Sequence, residues 1–170
     1  MAQTPLWQHA VALYARPGVA PTCLRLQDTF GVDVVVLLTV LHALARGRAL
    51  REEDIRRADT AVRDWRRDVV RALRNVRRHV KTVPVDGGTD ALAALRRSVQ
   101  AAELDAERIE FAMLDCWLGE LPRGAPALSA RASVVSLGRL SFGRPLQPDQ
   151  ERMLGAAADT IAAAFDEGNR

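Results

Sequence analysis

One pattern leaves few folds open to this chain: Ile55, Ala58, Val62, Trp65, Val69, Ala72, Val76 and Val80 recur at three-then-four spacing, apart from a final step of four. A heptad-like seam of this kind marks a helix that buries one stripe. Pro84-Val85-Asp86-Gly87-Gly88 interrupts it with turn-forming residues. After Thr89, a favoured N-cap residue type, the seam resumes as Leu92, Leu95, Val99, Ala102, Ala106, Ile109, Met113 and Cys116. Two helices of about 30 residues, each about 45 Å long at 1.5 Å per residue, predict an antiparallel hairpin over about 51–83 and 89–120.

Shorter helices flank it. Pro5 to Ala15 places Leu6, Leu13 and Tyr14 on one face with His9 or Ala10, and Pro17-Gly18 ends the helix. A second helix is expected over about 21–29, with Cys23, Leu24 and Phe30 inward and Gly31 as its break. The apolar run Val34 to Leu41 is too short to span a membrane, which takes about 20 residues. Its β-branched content suits a strand, but no other segment alternates to pair with it, so a buried helix from Asp33 to Gly47 is expected. Beyond Leu121, Pro, Gly, Ser and Ala predominate; a weaker helix is expected at 127–140, then a last one opened by Pro148, Asp149 and Glu151. The predicted fold is an all-α helical bundle. Its helical core with the long hairpin occupies 1–121, and a C-terminal helix pair at 122–170 packs on the same domain.

At 170 residues and 48% apolar content, the chain can fill one core. The start MAQTPLWQHA lacks the pattern of a secretory leader, and Cys23 and Cys116 are too few and too far apart for a disulfide framework or a zinc site. A cytoplasmic location with reduced, buried thiols is expected. Lys81 is the only lysine among 24 basic residues, an arginine bias that fits a GC-rich genome better than a binding function.

Charge distribution is more informative than the net +3. Arg63 to Lys81 carries eight basic side chains and two acidic ones. With the turn centred near Asp86, Arg63, Arg66 and Arg67 face the acidic stretch of Glu103, Asp105, Glu107 and Glu110. Interhelical salt bridges among Arg63, Arg66, Arg67, Glu103, Glu107 and Glu110 account for that half. The half nearer the turn gathers Arg74, Arg77, Arg78, Lys81, Arg96 and Arg97 against Asp86 and Asp90. Like charges at i,i+3 and i,i+4 repel by a few tenths of a kcal/mol each, so these six form the candidate site for an anionic partner.

Common catalytic signatures are missing from the sequence: it has no phosphate-binding Gly-rich loop, no dinucleotide turn and no nucleophile elbow. His9, His42 and His79 lack companions at metal-ligand spacing, Glu103 and Glu107 lack Glu-x-x-His partners, and neither a metal nor a cofactor is assigned. Trp7, Tyr14, Trp65 and Trp117 lie on apolar faces as core anchors.

Three blocks, LWQHAVALYARPGVAPTCLRLQDTFGVDVVVLL from Leu6, WRRDVVRALRNVRRHVK from Trp65 and AAELDAERIE from Ala101, resemble a family of small conserved bacterial proteins of unknown function. The likeness runs from Leu6 to about Leu118. It departs at Val35, where the family pattern has Asn, and at Ala72, where it has Pro and whose loss should straighten the helix. The resemblance implies an all-helical bacterial cytoplasmic protein and supplies no activity, ligand or catalytic residue.

The leading functional expectation is a non-enzymatic interaction or regulatory module, binding an anionic partner at the basic hairpin tip. An acidic protein surface is favoured over nucleic acid, because no aromatic is interleaved with the arginines. A second expectation is an interhelical pocket in which Arg78 and Lys81 hold a phosphate or carboxylate, with Glu103 or Glu107 as acid or base. A third is a helical subunit that self-associates through uncovered apolar residues on the hairpin.

Overall fold

A computed structural model describes residues 4–84 and 89–169. Helix α1 (Pro5–Tyr14) opens with Pro5 at its first turn and with the Thr4 hydroxyl accepting a hydrogen bond from the Trp7 amide at 3.2 Å. Helix α2 (Val19–Phe30) runs between Gly18 and Gly31, at φ 79° and 72°, a left-handed conformation that glycine adopts without a Cβ penalty. Helix α3 (Val34–Ala45) is capped by Asp33, whose Oδ1 accepts from the Val36 amide at 3.0 Å. Residues 35–43 of α3 are all buried, which explains the unbroken apolar run: this helix sits in the middle of the bundle. Among the described residues no helix is long and apolar enough to cross a membrane.

The hairpin follows as α4 (Glu52–Trp65), a π turn (Arg66–Val70), α5 (Arg71–Thr82) and α6 (Thr89–Glu120). Residues 85–88 of the turn expected at 84–88, and the capping role of the Thr89 side chain, lie outside the described residues. Helices α7 (Ala130–Phe142) and α8 (Pro148–Gly168) pair with each other, α8 packing on α2 and α7 on α3 and α4, so that α3 is enclosed by α1, α6 and α7. A single apolar cluster extends from Leu6 to Phe165 and draws on both ends of the chain. The protein is an all-α bundle built on the long hairpin. Cys23 is buried as expected, whereas Cys116 is exposed.

The hairpin's azimuth differs from the apolar seam. A π turn accommodates one extra residue, and one residue is about 100° around a 3.6-residue helix. In the turn the Arg71 amide bonds back to the Arg66 carbonyl. The buried face therefore passes from Val62 to Arg66 and Val70, and Trp65 and Val69 are only partly covered. In α5, Leu73, Arg74, Arg77 and Val80 take the half-buried positions, and the expected seam residues Ala72 and Val76 are exposed. Helix α6 is rotated to match: Glu103, Ala106, Glu110, Leu114 and Trp117 face in, while Leu95, Ala102, Ile109, Met113 and Cys116 are exposed. Charged groups enter the interface because they find one another there, which a pattern of apolar residues alone cannot show. Beyond residues 71 and 102 no described side chain of the hairpin is buried.

Helices α7 and α8 approach closely at Gly138, where a Cβ would fall well inside contact distance of both methyls of the fully buried Leu154. Gly138→Ala gains up to about 1 kcal/mol of helix propensity but overpacks a core site, at a cost of about 1–3 kcal/mol. Net destabilisation of about 1 kcal/mol is expected, read as a lower urea midpoint with an unchanged slope.

Candidate functional site

The polar groups of the hairpin gather in two layers at its junction with α1, α2 and α3. The inner layer centres on Arg66, which the π turn directs into the bundle. Its Nη1 donates to Asp59 Oδ1 at 2.7 Å and lies 3.5 Å from Asp33 Oδ2. Asp33 thus serves α3 with one oxygen and Arg66 with the other. Beside them stands Glu110, 0% exposed, with neither carboxyl oxygen accepting a hydrogen bond. Burial first, then the charge of Asp33 and the hydrogen bond a protonated Glu110 shares with Asp33, push its pKa up to about 9. These surroundings favour the neutral acid over the carboxylate.

The outer layer joins α5 to α6. Arg74 donates from Nε to Glu103 Oε1 at 3.0 Å and from Nη2 to Glu107 Oε1 at 2.9 Å. Arg77 grips both oxygens of Glu103 through Nε and Nη2. Burial opposes charge on Glu103, but the Arg77 and Arg74 hydrogen bonds outweigh it and hold the pKa below its ordinary value. Glu107 has less support. Burial raises its pKa, Arg74 only partly offsets this, and the charges of Glu103 and Asp33 add to the rise. Its Oε2 makes no hydrogen bond among the described residues.

These ion pairs form the polar end of a cavity of about 610 Å³ between the hairpin and α1–α3. Trp7, Tyr14 and Phe111 supply aromatic wall, with Trp7 and Phe111 edge to face at 5.5 Å. Val11, Leu24 and Leu104 line the cavity and are also exposed, so they mark its mouth. Gln27 and Gln100 add neutral hydrogen-bonding groups. Burial, then the neighbouring Cys23 and Glu107, raise the Tyr14 pKa, so its hydroxyl stays protonated at neutral pH. Apolar walls converging on a few polar groups are what a small-molecule site requires.

The sequence-selected residues distribute differently from expectation. Arg63 bonds Thr60 and pairs with Asp59, and Arg67 pairs with Asp64 and Asp68, all on their own helical segment. Of that trio only Arg66 turns inward, and Glu103 and Glu107 take Arg74 and Arg77 instead. The cause is side-chain lean: helical side chains tilt toward their own N-terminus, so in an antiparallel pair the α5 arginines reach toward the bundle and the α6 glutamates toward the tip. Arg78 pairs with Asp28 of α2 at 2.8 Å. Lys81, Arg96 and Arg97 are exposed, with no ion pair among the described residues. Of the residues expected in an interhelical pocket, Glu103 and Glu107 line it, but Arg74 and Arg77 stand where Arg78 and Lys81 were expected. Outside the pocket, His9 and His42 meet ring to ring at 4.8 Å, and among the described residues no group of three potential ligands could hold a metal.

The Glu110 proton links stability to pH. The native state holds it up to about pH 9, whereas the unfolded chain releases it near 4.5, so wild-type stability falls as pH rises through that window. Glu110→Gln keeps a donor for Asp33 and removes the titration. The variant is expected to match wild type near pH 5 and to exceed it by at least about 1 kcal/mol at pH 8, because each tenfold difference in proton affinity between the two states is worth about 1.4 kcal/mol. Paired urea titrations at the two pH values measure the difference, in which shared titrations cancel.

No curated protein and no solved structure matches the chain. Residues 5–114 match a family described as a protein of unknown function (DUF2390). That stretch runs from the start of α1 to Leu114 in α6 and contains every residue of the pocket and of the Arg66 cluster; the α7–α8 pair lies outside it. The chain belongs to the DUF2390 family, and its pocket and both layers of ion pairs lie in the part that defines membership.

Proposed function

We propose that this protein binds a small molecule in the pocket between α1–α3 and the hairpin. The observation that carries the proposal is the joining, in one cavity of about 610 Å³, of an aromatic wall from Trp7, Tyr14 and Phe111 with the ion pairs of Arg74, Arg77, Glu103 and Glu107. Pockets of about 300–1,000 Å³ with mostly apolar walls and a few placed polar groups accept molecules of metabolite size. Glu107, the more open of the two carboxylates and the one with a raised pKa, is the group best placed to exchange a proton with a bound molecule.

The basic hairpin tip is a second reading, of a site for an acidic protein surface in preference to nucleic acid. Lys81, Arg96 and Arg97 support it by their exposure, while Arg74, Arg77 and Arg78 already hold carboxylates of this chain. Self-association is a third, supported by exposed Val76, Leu95, Ile109 and Met113 along the hairpin.

A single comparison separates the first two. Protein equilibrated with a whole-cell extract, proteins included, is washed, denatured and assayed by mass spectrometry for released compounds and for co-purified protein. Wild type and a Lys81→Glu/Arg96→Glu/Arg97→Glu variant are expected to release the same compound. A Val11→Trp/Leu104→Trp variant, which narrows the mouth at two exposed positions, is expected to lose it at least tenfold. Loss of a bound protein in the tip variant, with no compound released by any form, would place function at the tip.

A further inference from the structure

We propose that two copies of this chain pair, head to tail, through the side of the hairpin that faces away from the pocket, so that the two hairpins form a four-helix bundle. The proposal rests on the self-association reading, to which it adds the face and the arrangement, and it is independent of the pocket.

Helix geometry places the face. Val76, Ala102, Ile109 and Met113 each stand two residues past a residue that lines the pocket, Arg74, Gln100, Glu107 and Phe111 in turn. Two residues are about 200° around a helix, so these four point away from the cavity. Leu95, Ala102, Ile109 and Cys116 recur every seven residues on α6, as Val69 and Val76 do across from them. The rotation at the π turn uncovers this spacing, which marks a helix-pairing seam but here runs beside the contact between α5 and α6. Val76, Leu95, Ile109 and Met113 are left between 36% and 50% exposed.

Charge and size indicate what covers the face. The chain has 26% charged residues, yet among the described residues α5 contributes no Arg, Lys, Asp or Glu to this side. Between Leu95 and Cys116, α6 contributes Asp105 at the edge, paired with Arg108 at 2.7 Å, while Ser98, Ala102 and Ala112 are small enough for another helix to approach closely. Charge depletion marks the centre of protein interfaces, and a neutral face gives an acidic or basic partner nothing to select. A second copy brings the same neutral surface at the same seven-residue spacing, as knobs-into-holes packing requires. From Leu95 to Cys116 the face is about 32 Å long at 1.5 Å per residue, and two helices side by side make it about 20 Å wide. Each copy then covers about 600 Å², and the pair about 1,200 Å², the lower end of the range for specific interfaces. The tips set the direction. Lys81, Arg96 and Arg97 are exposed, with no ion pair among the described residues, so head-to-head pairing brings like charges together and head-to-tail pairing keeps them at opposite ends.

Sedimentation velocity across a concentration series from about 1 to about 200 μM, the range in which an interface of this modest size assembles, tests the proposal. Wild type is expected to move from the chain mass of 18.6 kDa toward twice that value. A Val76→Glu/Ile109→Glu variant, altered at two exposed positions, is expected to weaken the dimer at least tenfold. Added salt is expected to leave wild-type pairing intact, since screening acts on charges. Spin labels at Lys81→Cys, in a Cys116→Ser background, are expected about 40 Å apart head to tail, against about 20 Å or less head to head. Circular dichroism confirms folding; if the double Glu variant does not fold, the salt series and the label distance decide. A chain that stays monomeric throughout overturns the proposal and the self-association reading together. A dimer that survives Val76→Glu/Ile109→Glu, dissolves in salt or brings the labels close overturns the proposal and leaves self-association standing. The pocket reading is untouched by either result, because the pocket lies on the opposite side of the hairpin.

Discussion

The architecture turns on one buried guanidinium. Arg66 is 8% exposed and holds Asp59 of its own helix and Asp33 at the head of α3, with Glu110 of α6 against them. Burying such a group unpaired would cost several kcal/mol, and removing one partner from a buried pair typically costs about 3–5 kcal/mol. Arg66 therefore fixes the rotation of its helix about its axis more firmly than any single apolar contact there. The π turn is the backbone's adjustment to that demand, since it lets α4 keep Ile55, Ala58 and Val62 in the core and still turn Arg66 inward.

Everything C-terminal of the turn inherits the rotation. One extra residue brings Arg77 to the inward position that an uninterrupted seam gives Val76, and Arg74 comes beside it. Arg74 and Arg77 then reach back along α5 to Glu103 and Glu107, which lean out along α6 to meet them. The pocket's polar end is thus a consequence of Arg66 acting through helix geometry, although Arg66 does not line the cavity.

Much of the fold could be read from the residues. The hairpin's limits follow from its spacing and from the Pro84–Gly88 break, and α3 is recognisable as a buried helix by its length, its Asp33 cap and the lack of a pairing strand. The azimuth could not be read in this way. Val69 and Val70 are adjacent, so either can serve as the core residue, and a count of apolar positions prefers Val69. The choice falls to Val70 because Arg66 gains Asp33, a partner 33 residues away that no local periodicity reveals. Glu103 and Glu110 escape for the same reason: at inward spacing with Ala106, Leu114 and Trp117 they complete a stripe, but a carboxylate is counted as surface until its partner is known. Trp7 and Tyr14 read as core anchors because an aromatic that lines a cavity and one that fills a core have the same spacing.

That the cavity stays open is itself a result of these ion pairs. Long flexible side chains such as Arg and Glu could fold into the space and fill it with their methylene stems. Here the charged ends of Arg74, Arg77 and Glu103 are held by two or more hydrogen bonds apiece, and the fork of Arg77 on Glu103 sets direction as well as distance. Arg78, pinned to Asp28, further ties α5 to α2 across the same gap. The wall is therefore stiff where it is polar and apolar where it is open. Glu107 is the exception, with one oxygen held by Arg74 and the other without a hydrogen bond among the described residues.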